Sequence, residues 1–283
     1  MEQNRIAELK EIARQIRVGI IEAVYSAKSG HPGGSLSMAD ILTYMYYEEM
    51  NVDPANPADP KRDRFVLSKG HCSPALYGVL AEAGFIPKED IKTFRHAESY
   101  LQGHTDMKGV NCVDMSTGSL GQGISAACGM AMNAKLSKQD YRVYAMLGDG
   151  EIEEGQVWEA SMFAAHYKLD NLIAFLDFNG LQIDGDVKEV MNPTPIDKKF
   201  EAFNWNVIVI DAHDFNQIEA AVAEAKTVKG KPTLILANSV KGKGVSYMEN
   251  QAGWHGAAPN TEQYEQAVSE LDAYLETLGG MSK

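Results

Sequence analysis

Of the seven histidines in the sequence, four stand in loops flanked by glycine or proline rather than on apolar helix faces: His31, His71, His104 and His255. Imidazole is the side chain suited to moving protons near neutral pH. Gly148-Asp149-Gly150 offers a second kind of chemistry. Its glycines let the backbone turn tightly and approach a ligand. Amides at the start of a following helix face a phosphate well, and Asp149 offers a hard oxygen ligand for Mg2+ or Ca2+. Alone, the tripeptide also reads as a plain strand-to-helix turn. Asp177-Phe178-Asn179-Gly180 comes next, with Asn179 30 positions beyond Asp149. Alone, Asn-Gly is a turn. One helix and one strand fit between the two, so neighbouring strand ends would set Asp149 beside Asn179. A carboxylate, an amide oxygen and a backbone carbonyl, with two diphosphate oxygens and a water, complete an octahedron. Lys241 and Lys243 lie in a glycine loop and read either as a phosphate patch or as two solvated lysines. His166 and His213 read as structural, and His96 as a surface residue.

These residues need a frame. Residues 4–27 carry Ile6, Leu9, Ile12, Ile16, Ile20 and Val24 at steps of three and four, the pattern of an amphipathic helix. Gly30 to Ser37 reads as a loop, and Ser37 to Glu49 as a helix. Pro54, Pro57 and Pro60 forbid a regular element over Asn51–Asp63. Phe65–Leu67 is a short strand, and Pro74–Gly84 a helix that Gly84 can stop. Apolar runs at Arg142–Leu147, Leu172–Asp177, Val207–Ile210 and Thr233–Ala237 read as buried parallel strands. Helices at Gly155–Tyr167 and Phe215–Val228 separate them, the latter capped by Asp214. This alternation predicts an α/β fold, a doubly wound, mostly parallel sheet with helices on both faces. Ligands in such sheets bind beyond the carboxyl ends of the strands. The loops to inspect are Gly148–Glu154, Asn179–Gly185, Asp211–Asp214 and Asn238–Gly244. Gly121–Leu136, rich in Gly, Ala and Ser, reads as a helix packed closely on the sheet. The chain is expected to be a single domain over 1–283, with a helical and loop region at 1–64 and a final helix at 261–278.

Composition sets the outer bounds. Hydrophobic residues make up 45% and charged residues 23% of the 283, which is ordinary for a globular protein and excludes a disordered chain or a fibre. The net charge of −13 argues against a general nucleic-acid surface or an anionic membrane patch. No apolar run reaches the ~20 residues of a membrane helix. The N-terminus lacks a basic region followed by an apolar stretch, so no secretory signal is read there. Cys72, Cys112 and Cys128 lack CxxC spacing and read as reduced thiols in a cytoplasmic protein.

With Asp149 and Asn179 at this spacing, the sequence resembles the thiamine diphosphate enzymes, and most closely transketolase. Ser29-Gly30-His31-Pro32-Gly33-Gly34, Leu67-Ser68-Lys69-Gly70-His71, Thr117–Gly123, Lys241–Val245 and Trp254-His255-Gly256 resemble transketolase segments in family order. The resemblance implies the thiamine diphosphate-binding fold, with thiamine diphosphate and Mg2+ as cofactors and Ca2+ or Mn2+ as substitutes. Asp149, Asn179 and the carbonyl of Leu181 resemble the metal ligands. His71, Gly150, Asn179 and His255 resemble diphosphate contacts. Gly118, Ser119 and Leu120 resemble the loop against the cofactor rings, with Ile183 packing there too. His31 and His255 are implied to face the reacting sugar, handling hydroxyl protons and the developing alkoxide. His104 is implied to bond the ketose near its terminal hydroxyl. Glu154 resembles the family's buried glutamate between the two halves of the enzyme, and the helix over Gly121–Leu136 is implied to add contact between subunits.

A transketolase polypeptide carries three domains, and this chain resembles only the first. The second holds the glutamate that activates the aminopyrimidine ring and much of the sugar-phosphate grip. The expectation is therefore a transferase subunit that is inactive alone. It would work with a separate C-terminal subunit carrying the pyrimidine-binding domain, through an obligate, largely apolar interface, with two copies of each chain. Its reaction would move a two-carbon ketol unit from a ketose phosphate to an aldose phosphate. Two alternatives keep the cofactor: half of a deoxyxylulose-phosphate synthase, or a transketolase for an unusual sugar. A non-catalytic binding protein of the same fold is a third. A dinucleotide-dependent dehydrogenase is weaker still, because Gly118–Gly123 reads G-S-L-G-Q-G and lacks the G-x-G-x-x-G spacing.

Overall fold

Short apolar runs bounded by glycine, proline and asparagine become interior strands when both of their faces are covered. In the computed structural model, which describes residues 1–279, five such runs form one sheet. They are β1 (Arg64–Leu67), β2 (Val143–Gly148), β3 (Leu172–Phe178) and, after a small hairpin of β4 (Leu181–Gln182) and β5 (Gly185–Asp186), β6 (Asn206–Asp211) and β7 (Thr233–Asn238). The order across the sheet is β1-β2-β3-β7-β6, and every pairing is parallel. Gly148 stands opposite Asp177, and Asp177 opposite Ala237. The carboxyl ends of β2, β3 and β7 therefore emerge level, and their loops share one edge.

The helices are α1 (Gln3–Ala27), α2 (Pro32–Ser37), α3 (Ala39–Tyr44), α4 (Ser73–Glu82), α5 (Gln122–Leu136), α6 (Gly155–His166), α7 (Val187–Met191), α8 (Ile196–Ala202), α9 (Phe215–Thr227) and α10 (Thr261–Gly279). Side chains alternate across a strand, and the two faces of the sheet build two cores. Tyr144, Met146, Ile173, Phe175 and Ile235 pack under α1, α3, α4 and α9. Val143, Ala145, Leu147, Ala174, Leu176 and Leu234 pack under α5, α6 and α8. This is the doubly wound arrangement expected. Leu9, Ala13, Ile16, Ile20 and Val24 are the buried stripe of α1. Asp214 caps α9, accepting from the amides of Asn216 and Gln217.

One local expectation is corrected. Gly30–Ser37 is not a loop throughout, because Pro32–Ser37 is the buried helix α2. Pro32 stands at the first helical position, where its missing N–H leaves no bond unmade. Met38, at φ −99° and ψ 3°, separates α2 from α3, and the segment ends in a π-helical turn over Met45–Glu49. Cys72, Cys112 and Cys128 are buried free thiols. No helix among the described residues is long and apolar enough to cross a membrane.

Candidate active site

The loops beyond β1, β2, β3 and β7 close around a cavity of about 280 Å³. Asp149 sits at its floor, 3% exposed. Its carboxylate accepts from the Gly150 amide (2.9 Å) and from the Gly180 amide at the end of β3 (2.6 Å). Those bonds bring the two strand-end loops together, so Asp149 and Asn179 line the same cavity, with Leu181. Burial, and then the Asp177 carboxylate, push the Asp149 carboxyl up to about 7. It is an acid that calls for a cation. Asn179 Nδ2 donates to Asp177 (3.0 Å), and its Oδ1 accepts from the Leu181 amide at 3.1 Å.

Two buried lysines supply positive charge in a chain of net charge −13. Lys69, after β1, pairs with Asp177 and donates to the Gly34 carbonyl at 2.8 Å. Lys241, 1% exposed, donates to the Leu181 carbonyl (2.8 Å) and lies 2.9 Å from His255 Nδ1. Burial lowers the Lys241 ammonium, and Asp149 opposes that shift. An ammonium thus already rests on the Leu181 carbonyl, beside a carboxylate and an amide that line the same cavity. That set is the hard-oxygen kind that Mg2+ prefers. It holds a single acidic side chain, and among the described residues no group of three His, Cys, Asp or Glu side chains is arranged to hold a metal.

The loop histidines converge over this floor. His31 lies 5.1 Å from His71 and 5.5 Å from His255, centre to centre, and 6.3 Å from His104. His71 stacks on His255 at 5.2 Å. Burial, and then nearby cations, push His31 down to about 4 and His255 down to about 3. Burial likewise holds His71 far below the usual imidazole range and lowers His104. All four are neutral at pH 7, which suits hydrogen bonding to hydroxyls without the cost of a buried charge. Gly118 makes the crowding feasible. Its φ of 142° lies in glycine territory, and a Cβ there would fall 2.9 Å from the His104 ring.

Of the sequence-predicted residues, His31, His71, Gly118, Leu120, Asp149, Gly150, Asn179, Leu181, Ile183 and His255 line the cavity. Ile183 does so from its rim, 64% exposed. Ser119 lies between two lining neighbours without lining the cavity itself. His104 does not line the cavity, and its ring lies 6.3 Å from that of His31. Glu154 is exposed at the start of α6. The buried carboxylate of that loop is Glu151, 2% exposed, which sequence reasoning missed. It accepts from Ser68 Oγ (2.5 Å), the Gly121 amide (3.0 Å) and the Gly148 amide (3.0 Å), tying three loops together. Glu151→Ala would strand three buried donors and is expected to cost about 2 kcal/mol or more, read as a lower urea midpoint. Lys69 was also missed. Its signal is a lysine just past β1 in register with an aspartate ending β3. The two lysines of the glycine loop separate: Lys241 is buried in the site, whereas Lys243 lies 3.5 Å from Glu249 beside another cavity. The Asp211–Asp214 loop does not line the cavity. Its His213 bridges Asp40 and the Val240 amide, a structural role.

Residues 8–273 match the family described as the thiamine diphosphate binding domain of transketolase. The chain belongs to this family. It is 44% identical over 265 residues to the 6-deoxy-6-sulfo-D-fructose transketolase subunit SqwG of a Clostridium species, covering 94% of this chain and 96% of that one. It is also 44% identical to one of the subunits of the apulose-4-phosphate transketolase of Phocaeicola vulgatus, covering 93% of each. Mouse transketolase is 41% identical over 98% of this chain, which corresponds to 44% of the mouse protein. The crystal structure of Campylobacter jejuni transketolase superposes with a TM-score of 0.88 at 35% identity, covering 96% of this chain and 43% of that one. The parallel sheet and its loops are thus the transketolase thiamine diphosphate-binding fold.

Proposed function

We propose that this chain is the diphosphate-holding subunit of a two-chain transketolase. With a second chain carrying the pyrimidine-binding domain, it moves a two-carbon ketol unit from a ketose phosphate to an aldose phosphate. The observation that carries the reading is the convergence, in one cavity, of Asp149, Asn179 and the Leu181 carbonyl with His31, His71 and His255. Asp149, Asn179 and Leu181 hold Mg2+. His71, the Gly150 amide, Asn179, His255 and Lys241 hold the diphosphate. Gly118, Leu120 and Ile183 face the rings, with Ser119 between the first two on the same loop. Bound thiamine diphosphate supplies the nucleophilic carbon for ketol transfer. The chain's own work is orientation and proton management: His31 and His255 meet the sugar hydroxyls and the charge developing there, and His104 meets the terminal hydroxyl.

The whole chain acts as one such domain in the cytoplasm, and two copies of it assemble with two of the partner. Exposed apolar residues support a partner surface: Ile183 at the cavity rim and Met191 at the end of α7, each 64% exposed. Glu154, exposed on this chain, becomes buried at that contact.

The purified chain alone is expected to transfer no ketol unit. Affinity capture from the native source with Mg2+ and thiamine diphosphate should bring down a stoichiometric second chain, and the pair should transfer ketol units from a panel of ketose phosphates. Transfer by the rigorously purified chain alone would refute the two-chain reading. Capture of the chain alone, without cofactor, would count against a catalytic role.

A further inference from the structure

Arg95 is a cation without a counter-charge. Among the described residues no carboxylate pairs with it, and burial lowers it unopposed. Its backbone is left-handed, at φ 60°, a conformation that a non-glycine residue holds only where its surroundings demand it. The guanidinium is nonetheless fixed. Nη1 donates to Ser29 Oγ at 2.7 Å, Nη2 lies 3.4 Å from the Gly103 carbonyl, and Cζ sits 5.5 Å from the centre of the Phe94 ring. Gly103 presses against it so closely that a Cβ there would come 2.6 Å from Nε. The remaining contact of Nη2 is His31 Nδ1, at 3.4 Å.

A guanidinium has five donors and no acceptor. Whatever nitrogen it meets must therefore offer a lone pair. We infer that Arg95 is a positioning residue that fixes His31 as the tautomer protonated on Nε2. His31 then presents a hydrogen-bond donor to the cavity rather than a base. The groups facing the His31 ring agree with a neutral donor: His71, His104 and His255 ring it, and Arg95, then His104 and Lys241, all oppose a positive charge on it. With burial they hold it neutral down to about pH 4. In the proposed reaction, on which the catalytic half of this inference rests, His31 donates to the sugar oxygen that gains negative charge. The division of labour among the four histidines is thereby set from outside the cavity, by a residue that does not line it.

Long-range nitrogen–proton NMR on the histidine-labelled chain tests the assignment directly, without partner or cofactor. At pH 7 the wild-type His31 should show a protonated Nε2 and a bare Nδ1. In Arg95→Met the two tautomers should mix, and the His31 pKa should rise by about one unit as one nearby charge is removed. Gly103→Ala keeps the guanidinium but forces it to move, and should shift His31 the same way. Unchanged His213 signals report an intact fold in both variants. A wild-type His31 protonated on Nδ1, or a tautomer unmoved by either variant, overturns the inference. In the assembled two-chain enzyme, Arg95→Met should lower kcat about tenfold, below the ~100-fold that a positioned proton donor itself contributes, with KM changed less than kcat. A wild-type pair that transfers no ketol unit would sink the functional reading, while the tautomer measurement would still decide the assignment of Arg95.

Discussion

Asp149→Ala is expected to remove Mg2+-dependent retention of thiamine diphosphate, with affinity falling about 100-fold or more, given that even outer partners of metal ligands are worth about 10–100-fold. Asp149 is the one carboxylate of the proposed donor set, so its loss would leave two neutral oxygens for the cation. The carboxylate also joins the β2 and β3 loops through the Gly150 and Gly180 amides. Alanine therefore removes a ligand and a clamp together. Asp149→Asn separates them. The amide oxygen can keep one of the amide bonds while the charge is gone, so the fold should hold and the metal should still be lost. Titration calorimetry with Mg2+ and thiamine diphosphate, next to a urea melt, reads both quantities. An Asp149→Asn chain that binds the pair as tightly as wild type would sink the metal-ligand assignment.

The parts of this site that depend on strand ends were legible in the sequence. Apolar runs such as Arg142–Leu147 and Thr233–Ala237 admit only buried strands when helices separate them, and the wound topology then decides where Asp149 and Asn179 meet. The spacing of 30 residues carried information because one helix and one strand fill it. What depends on burial was not legible. Lys69 looks like a solvated lysine to any local rule, and Lys241 reads either as solvated or as part of a phosphate patch, since lysine is almost never buried unless paired. Their partners, Asp177 and the Leu181 carbonyl, lie 108 and 60 positions away. Glu151 and Glu154 are three apart on one glycine-rich turn, and periodicity does not tell which faces inward. The Ser68 and Gly121 donors decide it from other loops. The helix at Pro32–Ser37 was hidden by its own glycines, which read as loop but serve close packing inside the site.

Lys69→Met should destabilise the fold more than Glu151→Ala or either Asp149 variant, by about 3–5 kcal/mol. Asp177 is wholly buried and Lys69 is 2% exposed, and among the described residues neither has another opposite charge at contact distance. Burial alone would raise the Asp177 carboxyl; the Lys69 ammonium outweighs that and holds it below its ordinary value. Burial would lower Lys69, and Asp177 reverses that as well. The signs fix the pH window. A depressed carboxylate contributes its full stability above the ordinary carboxylate range and loses it as pH falls through that range and below. A raised lysine contributes fully below the ordinary lysine range and loses it only in strong alkali. The pair is therefore fully formed around neutrality, and the acid-side loss of stability should be shallower in Lys69→Met. The double variant Lys69→Met with Asp177→Asn should recover most of the stability, because no lone buried charge remains. It should not recover metal binding. Asp177 also accepts from Asn179 Nδ2, a bond that fixes which way the Asn179 amide is turned at the proposed metal site. With an amide at position 177 the orienting bond can reverse, and metal affinity should stay about 10–100-fold low. Stability and metal affinity would then part company in one protein. If the double variant binds Mg2+ and thiamine diphosphate normally, Asp177 serves the fold alone and the orienting role falls.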